Sequence, residues 1–598
     1  MDLGWTGHTG CSTPLPGASV NSVQIAHTAT RARRLLRSEK STFIMAAILL
    51  TLGFYLFYPV LLILLLSFNT GIHFFVGERT WGFDNWRVAF SDPRIALALW
   101  NTIWLWVVSI AVTFPFGILV AWLLARTRLP GSHVLEFFYW ISYVTPGGLI
   151  AWIMLFDPRG GMANTLLELL PFIDDGPFNI FSIWGIIFVN VIGGASATVV
   201  IILTPAFRNM DAALEEAARV AGASTLRTMM RVTIPIMISP IVLLFALQLL
   251  RMFSRFEQEL ILGLPIGFFV YSTLIFDMVR LTEPPLYGQA TALGGLTLII
   301  IAAIVPLQRW IIGRRRYTTL TGSFRPGLIP LGPWKWIAFA FVISDHFLSL
   351  FTLLIMVVGS FMSRVGFLEI DPVFTLRHWQ FVLAAPQFST ALRTTLILAF
   401  AGGIGSPILF SLLAYILVRT RWRLRILLDS TIWISGALPG FLAGLGLMLM
   451  FLWTPGLRVL YGTIWVLILV VILSGNTSGV NILKGTFIQV GADMEEAAHV
   501  AGAGWLRTYI KIWLPLTLPM MALIGLFNFN NAANTTASVI LLASRDTVPM
   551  AVLILHWLLP GAGLREAAAV VQIILGSITL VSALAARHYG LKLGVRHR

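Results

Sequence analysis

Leu214-Glu215-Glu216-Ala217-Ala218-Arg219-Val220-Ala221-Gly222-Ala223 returns 280 residues later (494 − 214) as Met494-Glu495-Glu496-Ala497-Ala498-His499-Val500-Ala501-Gly502-Ala503. The register continues: Leu226-Arg227-Thr228 answers Leu506-Arg507-Thr508, and Pro235 answers Pro515. Each copy is a polar, alanine-rich island between long apolar segments. One copy alone would read as an ordinary solvated helix with a glycine stop. Two copies at matching places in two apolar halves call for a shared role.

Local chemistry sets the expected shape of each island. Asp211 and Asp493 can cap a helix, because a side-chain oxygen accepts an orphan backbone N–H there. Glu496 stands three residues after Asp493, at capping-box spacing. The paired glutamates lie in the first turn, where negative charge suits the helix dipole. Alanine favours helix and keeps the surface low. Gly222 and Gly502 can take the left-handed conformation that ends a helix. A second helix is expected from about Ser224 and Gly504 to Pro235 and Pro515. The predicted unit is helix, glycine turn, helix, lying at a membrane surface.

Glu-Ala-Ala, three residues, Gly, and a later Pro resemble the coupling motif of ABC importer permeases. Glu216-Ala217-Ala218 with Gly222, and Glu496-Ala497-Ala498 with Gly502, carry the resemblance. Ile512-Trp513-Leu514-Pro515 matches the closing Ile-x-Leu-Pro, while Val232-Thr233-Ile234-Pro235 departs mildly from it. The resemblance implies that both islands are cytoplasmic and seat on an ATP-binding subunit. On that basis Glu215, Glu216, Ala217, Ala218, Gly222, Glu495, Glu496, Ala497, Ala498 and Gly502 are the ATPase-coupling residues. It also implies a partner ABC ATPase dimer that uses ATP and Mg, an extracytoplasmic substrate-binding protein, and residence in a bacterial inner membrane.

Composition bounds the class independently. The chain has 598 residues, 57% apolar and 11% charged, with mean hydropathy +0.85. Those values describe a polytopic membrane protein, not a soluble domain. The net charge of +15 is read as basic loops on the cytoplasmic side of a lipid bilayer, not as a nucleic-acid surface. Cys11 stands alone, so no intrachain disulfide can form.

Residues 1–40 read as a disordered basic cytoplasmic tail. The apolar stretch from Phe43 to Phe68 exceeds a signal-peptide core and is long enough to cross a bilayer. About twelve membrane helices follow from the apolar segments. In the first half they lie near 43–68, 96–125, 134–156, 180–203, 236–262 and 290–312. In the second they lie near 337–361, 391–418, 430–453, 463–487, 516–542 and 567–586. Val548 to Leu559 is apolar but short, hence re-entrant or interfacial. The expected fold is all-α, with two parallel six-helix repeats and cytoplasmic N- and C-termini. Its units are 41–316 and 337–598, joined by a linker at 317–336.

Other positions repeat too. Trp86, Pro93, Thr102, Arg126-Thr127-Arg128 and Pro146-Gly147 answer Trp379, Pro386, Thr395, Arg419-Thr420-Arg421 and Pro439-Gly440 at an offset of 293. The offset falls to 280 by the island. The counterpart of the loop Asp157–Asn179 is therefore expected to be 13 residues shorter (293 − 280). Arg31–Lys40, Arg126, Arg128, Arg314–Arg316, Arg419–Arg425 and Arg587–Arg598 fall on one side. Asp157, Asp174, Asp175, Glu283, Glu369 and Asp371 fall on the other. The positive-inside rule makes the basic side cytoplasmic.

No phosphate loop of the Gly-x-x-x-x-Gly-Lys-Ser/Thr type and no His-Glu-x-x-His or Cys-x-x-Cys spacing occurs in the chain. It is therefore not read as an enzyme, and no cofactor or metal site is assigned to it. His73, His346 and His556 stand apart and read as structural. Charge at membrane depth is expensive and tends to pair or line a path. Arg251, Arg255, Glu257 and Glu259 are the candidates in the first half, with Arg255 and Glu259 spaced to pair. At a helix end they would merely reach for the headgroups. Asn530, Asn531 and Asn534, beside Asn528, hold a similar place in the second half. Pro146-Gly147 and Pro439-Gly440 can kink helices three and nine and are read first as packing features.

Two fused permease units resemble the ferric-iron importer permeases, and Phe256-Glu257-Gln258-Glu259-Leu260-Ile261-Leu262-Gly263-Leu264-Pro265 resembles a segment of that group. Ferric iron is thus the expected substrate. Thiamine, sulfate, polyamine and phosphonate permeases share the architecture. An ion-gradient-driven secondary transporter would explain the repeat but not the islands.

Overall fold

The computed structural model describes residues 46–71, 74–75, 80–144, 148–192, 196–211, 213–313, 328–420, 424–489 and 493–592. The expected tail 1–40, Pro146-Gly147, Arg314–Arg316 and most of the linker 317–336 lie outside them. Backbone pairing between extended residues amounts, among the described residues, to four isolated bridges. The rest of the ordered structure is helix.

Among the described residues, six helices are long and apolar enough to cross a bilayer alone: Ala46–Leu66, Pro93–Arg126, Tyr287–Ile304, Pro386–Arg419, Trp505–Ala533 and Arg565–Ala585. Five further candidate spans are helix pairs bent by 44° to 112° at a short break. Trp334–Phe361 adds a continuous helix of 28 residues where the seventh was expected. The chain is an all-α polytopic membrane protein, the form that satisfies every backbone polar group within lipid.

The longest helices show how polar residues are tolerated inside. Pro93 fits the first helical turn, and Asp92 Oδ1 accepts the Arg94 amide at 2.8 Å. Within the helix, Thr102, Ser109 and Thr113 turn their hydroxyls onto carbonyls four residues back, at 2.7, 2.7 and 2.9 Å. Each hydroxyl is thereby satisfied without leaving its own helix.

The repeat persists at the level of single hydrogen bonds. Pro93–Arg126 and Pro386–Arg419 both have 34 residues. Trp86 Nε1 donates to Ser67 Oγ at 2.9 Å, and Trp379 Nε1 to Ser360 Oγ at 3.2 Å. Thr102 Oγ1 accepts the Tyr271 amide at 2.8 Å, and Thr395 Oγ1 accepts the Met550 amide at 2.8 Å. The connection between Phe156 and Ile183 carries its own helix, Met162–Glu168, whereas Trp453 and Ile464 are joined by a short turn. The missing residues fall there, as expected.

The two halves interlock through their first helices. Gly446, in Gly440–Trp453, admits Pro59 and Ile63 so closely that a Cβ would stand 3.0 Å from both. Thr454 Oγ1 donates to the Tyr58 hydroxyl at 3.1 Å on the same seam. Reciprocally, Trp334–Phe361 packs on Gly148–Phe156, with Gly359 against the Met154 sulfur.

Several expected spans break. Helix five stops at Leu250, and a 3₁₀ turn occupies Arg251–Ser254. A helical pair, Glu257–Ile266 and Tyr271–Leu281, follows with a 75° bend. The bend is made at Gly267, whose φ of +65° lies in the left-handed region glycine tolerates. Arg251, Arg255, Glu257 and Glu259 lower the hydropathy at the break, which the expected span 236–262 ran straight through. Helix eleven likewise ends at Ala533, short of the expected residue 542. Met550–Leu558 is a short, mostly buried helix matching Tyr271–Phe276 in the repeat. Pro439-Gly440, read first as a packing feature, sits instead at the sharpest bend, 112° between Arg425–Gly436 and Gly440–Trp453. Helix ten bends by 44° between Ile464–Leu473 and Asn476–Ile488.

Candidate coupling surface and polar interior

Each island folds as its sequence leads one to expect. Ala213–Val220 begins where Asp211 Oδ1 accepts the Ala213 amide at 3.1 Å. It ends at Gly222, with φ +82°, where Ala223 N donates to Ala218 O at 3.0 Å. Asp493–Val500 ends at Gly502, φ +77°, with Ala503 N donating to Ala498 O at 2.9 Å. Both are left-handed glycine caps closed by a hydrogen bond across the last turn. Ser224 Oγ then accepts the Arg227 amide and starts the next helix, and Gly504 holds the same place in the second copy. The Asp493 side chain lies outside the described residues.

One face of each island is open. Glu216, Ala217 and Val220 are exposed, as are Glu496, Ala497 and Val500. Both valines are 91% exposed. Ala218 and Ala498 are half-buried.

The two glutamates of each pair take different directions. Glu215 is turned into the bundle and is 1% exposed. Arg126, the last residue of Pro93–Arg126, meets it, with Nε donating to Oε2 at 3.0 Å. Arg126 Nη1 also donates to Met210 O at 3.0 Å, and Thr233 Oγ1 donates to Glu215 Oε1 at 2.6 Å. The second copy uses other chemistry. Tyr415 OH donates to Glu495 Oε1 at 3.2 Å, and Arg419 Nε lies 3.9 Å from Oε2. Arg419 Nη2 donates to Phe487 O at 2.6 Å, and its guanidinium stands 4.5 Å from the Trp513 ring centroid. By the repeat offsets Thr233 answers Trp513 and Trp122 answers Tyr415. The hydroxyl serving the carboxylate has changed helices between the halves. From the sequence these arginines served only for topology, and Glu215 and Glu495 were placed in the helix dipole and, by resemblance, among the ATPase-coupling residues, without their inward partners. The signal was present in the parallel recurrence of Arg126/Arg419 and Glu215/Glu495.

The interior candidates divide into groups. Arg255 and Glu259 pair at 3.5 Å as their spacing implied, although a turn separates them from helix five. Glu259 is buried and accepts from Asn190 Nδ2 at 3.1 Å, and Arg255 donates to the same Asn190 through its Oδ1. Asn190 was not singled out from sequence. Glu257 is exposed, and its carboxylate reaches Thr536 of the other half. Arg251 is exposed as well. Asn531 Nδ2 donates to Ser474 Oγ at 2.8 Å, whereas Asn534 is spent on its own helix, donating to Asn530 O at 2.9 Å. Asn530 is buried with neither its amide nitrogen nor its oxygen hydrogen-bonded. The stacked ring pairs Trp140–Phe527 and Phe256–Phe441 close the two halves around this region, with centroids 5.7 and 5.1 Å apart.

Paired halves, duplicated surface helices and buried charge define a multi-pass transport permease. Residues 113–317 match the family described as "Binding-protein-dependent transport system inner membrane component", and that segment belongs to it. With its multiple apolar helices the chain is an inner-membrane permease, similar over most of its length to ABC transporter permeases. It is similar to a probable ABC transporter permease of Sinorhizobium fredii, y4fN, at 24% identity over 73% of this chain and 78% of that one. It is similar to the ferric transport system permease FbpB of Actinobacillus pleuropneumoniae at 23% identity, over 84% of this chain and 71% of the relative. A probable sulfate permease, cysT of Zygnema circumcarinatum, is 27% identical over 39% of this chain and 78% of its own length.

Proposed function

We propose that this chain forms the translocation path of an importer for ferric iron and draws its energy from a separate ATPase dimer. In this reading ATP and Mg act in that partner, and the two islands are its docking points. An extracytoplasmic binding protein delivers the substrate to the opposite face. The observation that carries the reading is the duplicated island: two helices with the same glycine cap, each exposing Glu, Ala and Val at corresponding positions. An ion-driven transporter gives these surfaces no task.

Iron is favoured because a relative named for ferric transport spans most of the chain, whereas the sulfate relative spans little more than a third. Among the described residues no three His, Cys, Asp or Glu side chains gather to hold a metal ion. In this reading iron passes as cargo, with Glu257, a solvent-open residue, on its way. Exposed Arg251 favours an anion and keeps sulfate as the second reading.

Two measurements test this. Cysteines placed at Glu216 and Glu496, in a Cys11→Ser background, should both label from the cytoplasmic side only. Uptake of labelled ferric iron by vesicles containing the full complex should exceed that of sulfate, thiamine, polyamine and phosphonate. Labelling from opposite sides would end the coupling reading; a preference for sulfate would replace the substrate alone.

A further inference from the structure

We propose that Arg126 is the positioning residue through which movement of the first island reaches the polar interior, and that its counterpart Arg419 performs this task only weakly. This rests on the coupling reading above. Ala213–Val220 is eight residues long and largely exposed. A push on so short a helix would swing it about Gly222 unless something fixed it to the bundle. Its inward fastening is Glu215, held by Arg126 and Thr233.

The character of that fastening decides how force travels. Arg126 and Glu215 are each 1% exposed. Separating them would leave two charges buried and unpaired, which is far costlier than keeping them together. The island and the end of Pro93–Arg126 therefore move as one body. Farther up the same helix, Trp106 Nε1 donates to Gln248 O at 3.1 Å, and Thr102 holds the Tyr271 amide. The neighbouring Ser272 hydroxyl bonds the Arg255 carbonyl. A helix rises about 1.5 Å per residue, so one continuous helix, with Pro115 inside it, carries the island's movement over roughly 36 Å towards the segment of Arg251 and Arg255.

The second fastening has a longer ion pair and is less deeply buried, with Tyr415 OH sharing the hold on Glu495. Arg419 and Glu495 are each 13% exposed and 3.9 Å apart. If Glu495 withdraws, Arg419 keeps the Phe487 carbonyl and the Trp513 ring. Cation–π contact gives it an alternative place to rest. The two halves are thus unequal levers: the first transmits and the second accommodates.

The test uses the full complex with its co-purifying ATPase and reads substrate imported per ATP hydrolysed. Arg126→Met should lower that ratio at least fivefold, with Arg126→Lys between it and wild type. Arg419→Met should lower it less than twofold. Thr233→Val, which removes one hydroxyl and little volume, should lower it about twofold to threefold and carries the test if Arg126→Met does not fold. A ratio unchanged in the folded Arg126→Met complex, or in Thr233→Val, overturns the proposal. So does an Arg419→Met loss as large as that of Arg126→Met. A wild-type chain that transports without any ATPase would instead overturn the coupling reading, and this inference with it.

Discussion

Asp157 and Arg565, 408 residues apart, form an ion pair that joins the two halves of the chain. The Asp157 side chain is nearly buried, and the Arg565 side chain is 44% exposed. Asp157 also accepts the Arg159 amide at 2.7 Å, and the Arg565 guanidinium lies 5.8 Å from the Phe181 ring centroid. Next along the chain, Glu566 accepts the Val365 amide at 3.0 Å. The pair borders a cleft of about 350 Å³ that includes Ile261, Pro265 and Pro560. With one partner open to water, screening limits its worth to about 1 kcal/mol. Asp157→Asn and Arg565→Ala should each lower the midpoint of thermal unfolding by a similar small amount. Their combination should cost no more than either alone, because the second change removes a group already unpaired. Additive losses in the double variant would show that the residues act separately.

Glu257 presents a different balance. The residue is open to solvent, yet its carboxyl end is enclosed by the bundle and bonds Thr536 in the opposite half. Glu257→Gln retains the shape and removes the charge. On the proposed iron reading, with Glu257 on the path, uptake should fall about tenfold, since one lost polar contact of roughly 1.4 kcal/mol is a factor of ten. Yield and thermal stability should stay near wild type. Equal uptake by wild type and variant would remove Glu257 from the path.

Asn530 should show stability and transport moving in opposite directions. It is buried with both amide atoms unbonded, an arrangement that costs about 1–3 kcal/mol. Asn530→Leu replaces the unsatisfied amide with an apolar group of similar size. The melting temperature should rise while uptake falls, if the amide waits for a polar substrate group. A rise in stability with unchanged uptake would make it a packing defect only.

These predictions reach into places where the sequence was least readable. The islands were legible because their structure is local: an aspartate, alanines and a glycine act through hydrogen bonds within ten residues. The repeat was legible because matching residues recur at fixed offsets, and Trp86 and Thr102 make the same bonds as Trp379 and Thr395. The charges from Arg251 to Glu259 and the Pro439-Gly440 pair marked where the chain breaks, but the bends themselves were not legible, because their angles are set by packing against distant segments. The inward turn of Glu215 was hidden for another reason. Its partner Arg126 lies 89 residues away, and nothing in either neighbourhood announces the meeting.

Gly222 supplies a test of the island's own geometry. Its φ is +82°, and a Cβ there would meet no atom within 4 Å. Space is therefore not the constraint; backbone conformation is. Gly222→Ala should cost about 1–2 kcal/mol through left-handed strain alone. On the proposed coupling, the expected result is less stimulation of a partner ATPase by a binding protein, with the ATPase still bound. Gly222→Pro cannot adopt the required φ at all and should abolish the response. Normal stimulation in the proline variant would mean that the glycine cap has no part in coupling.

Two glycines on the second half's helices should respond with opposite signs, and the contrast tests how the halves are joined. At Gly485 an added Cβ meets nothing within 4 Å, so Gly485→Ala only restores helix propensity. It should stabilise by about 0.5–1 kcal/mol. At Gly446 the Cβ would press on Pro59 Cβ, the Pro59 carbonyl oxygen and Ile63 Cδ1, at 3.0 to 3.1 Å. Two of those atoms belong to a proline and its backbone, which cannot swing aside. Gly446→Val should therefore cost about 1–3 kcal/mol by overpacking and loosen the grip of the first helix on the other half. Proteolysis at the start of that helix should quicken in Gly446→Val and stay unchanged in Gly485→Ala. If Gly446→Val melts with wild type, the Ala46–Leu66 helix does not hold the halves together through this seam.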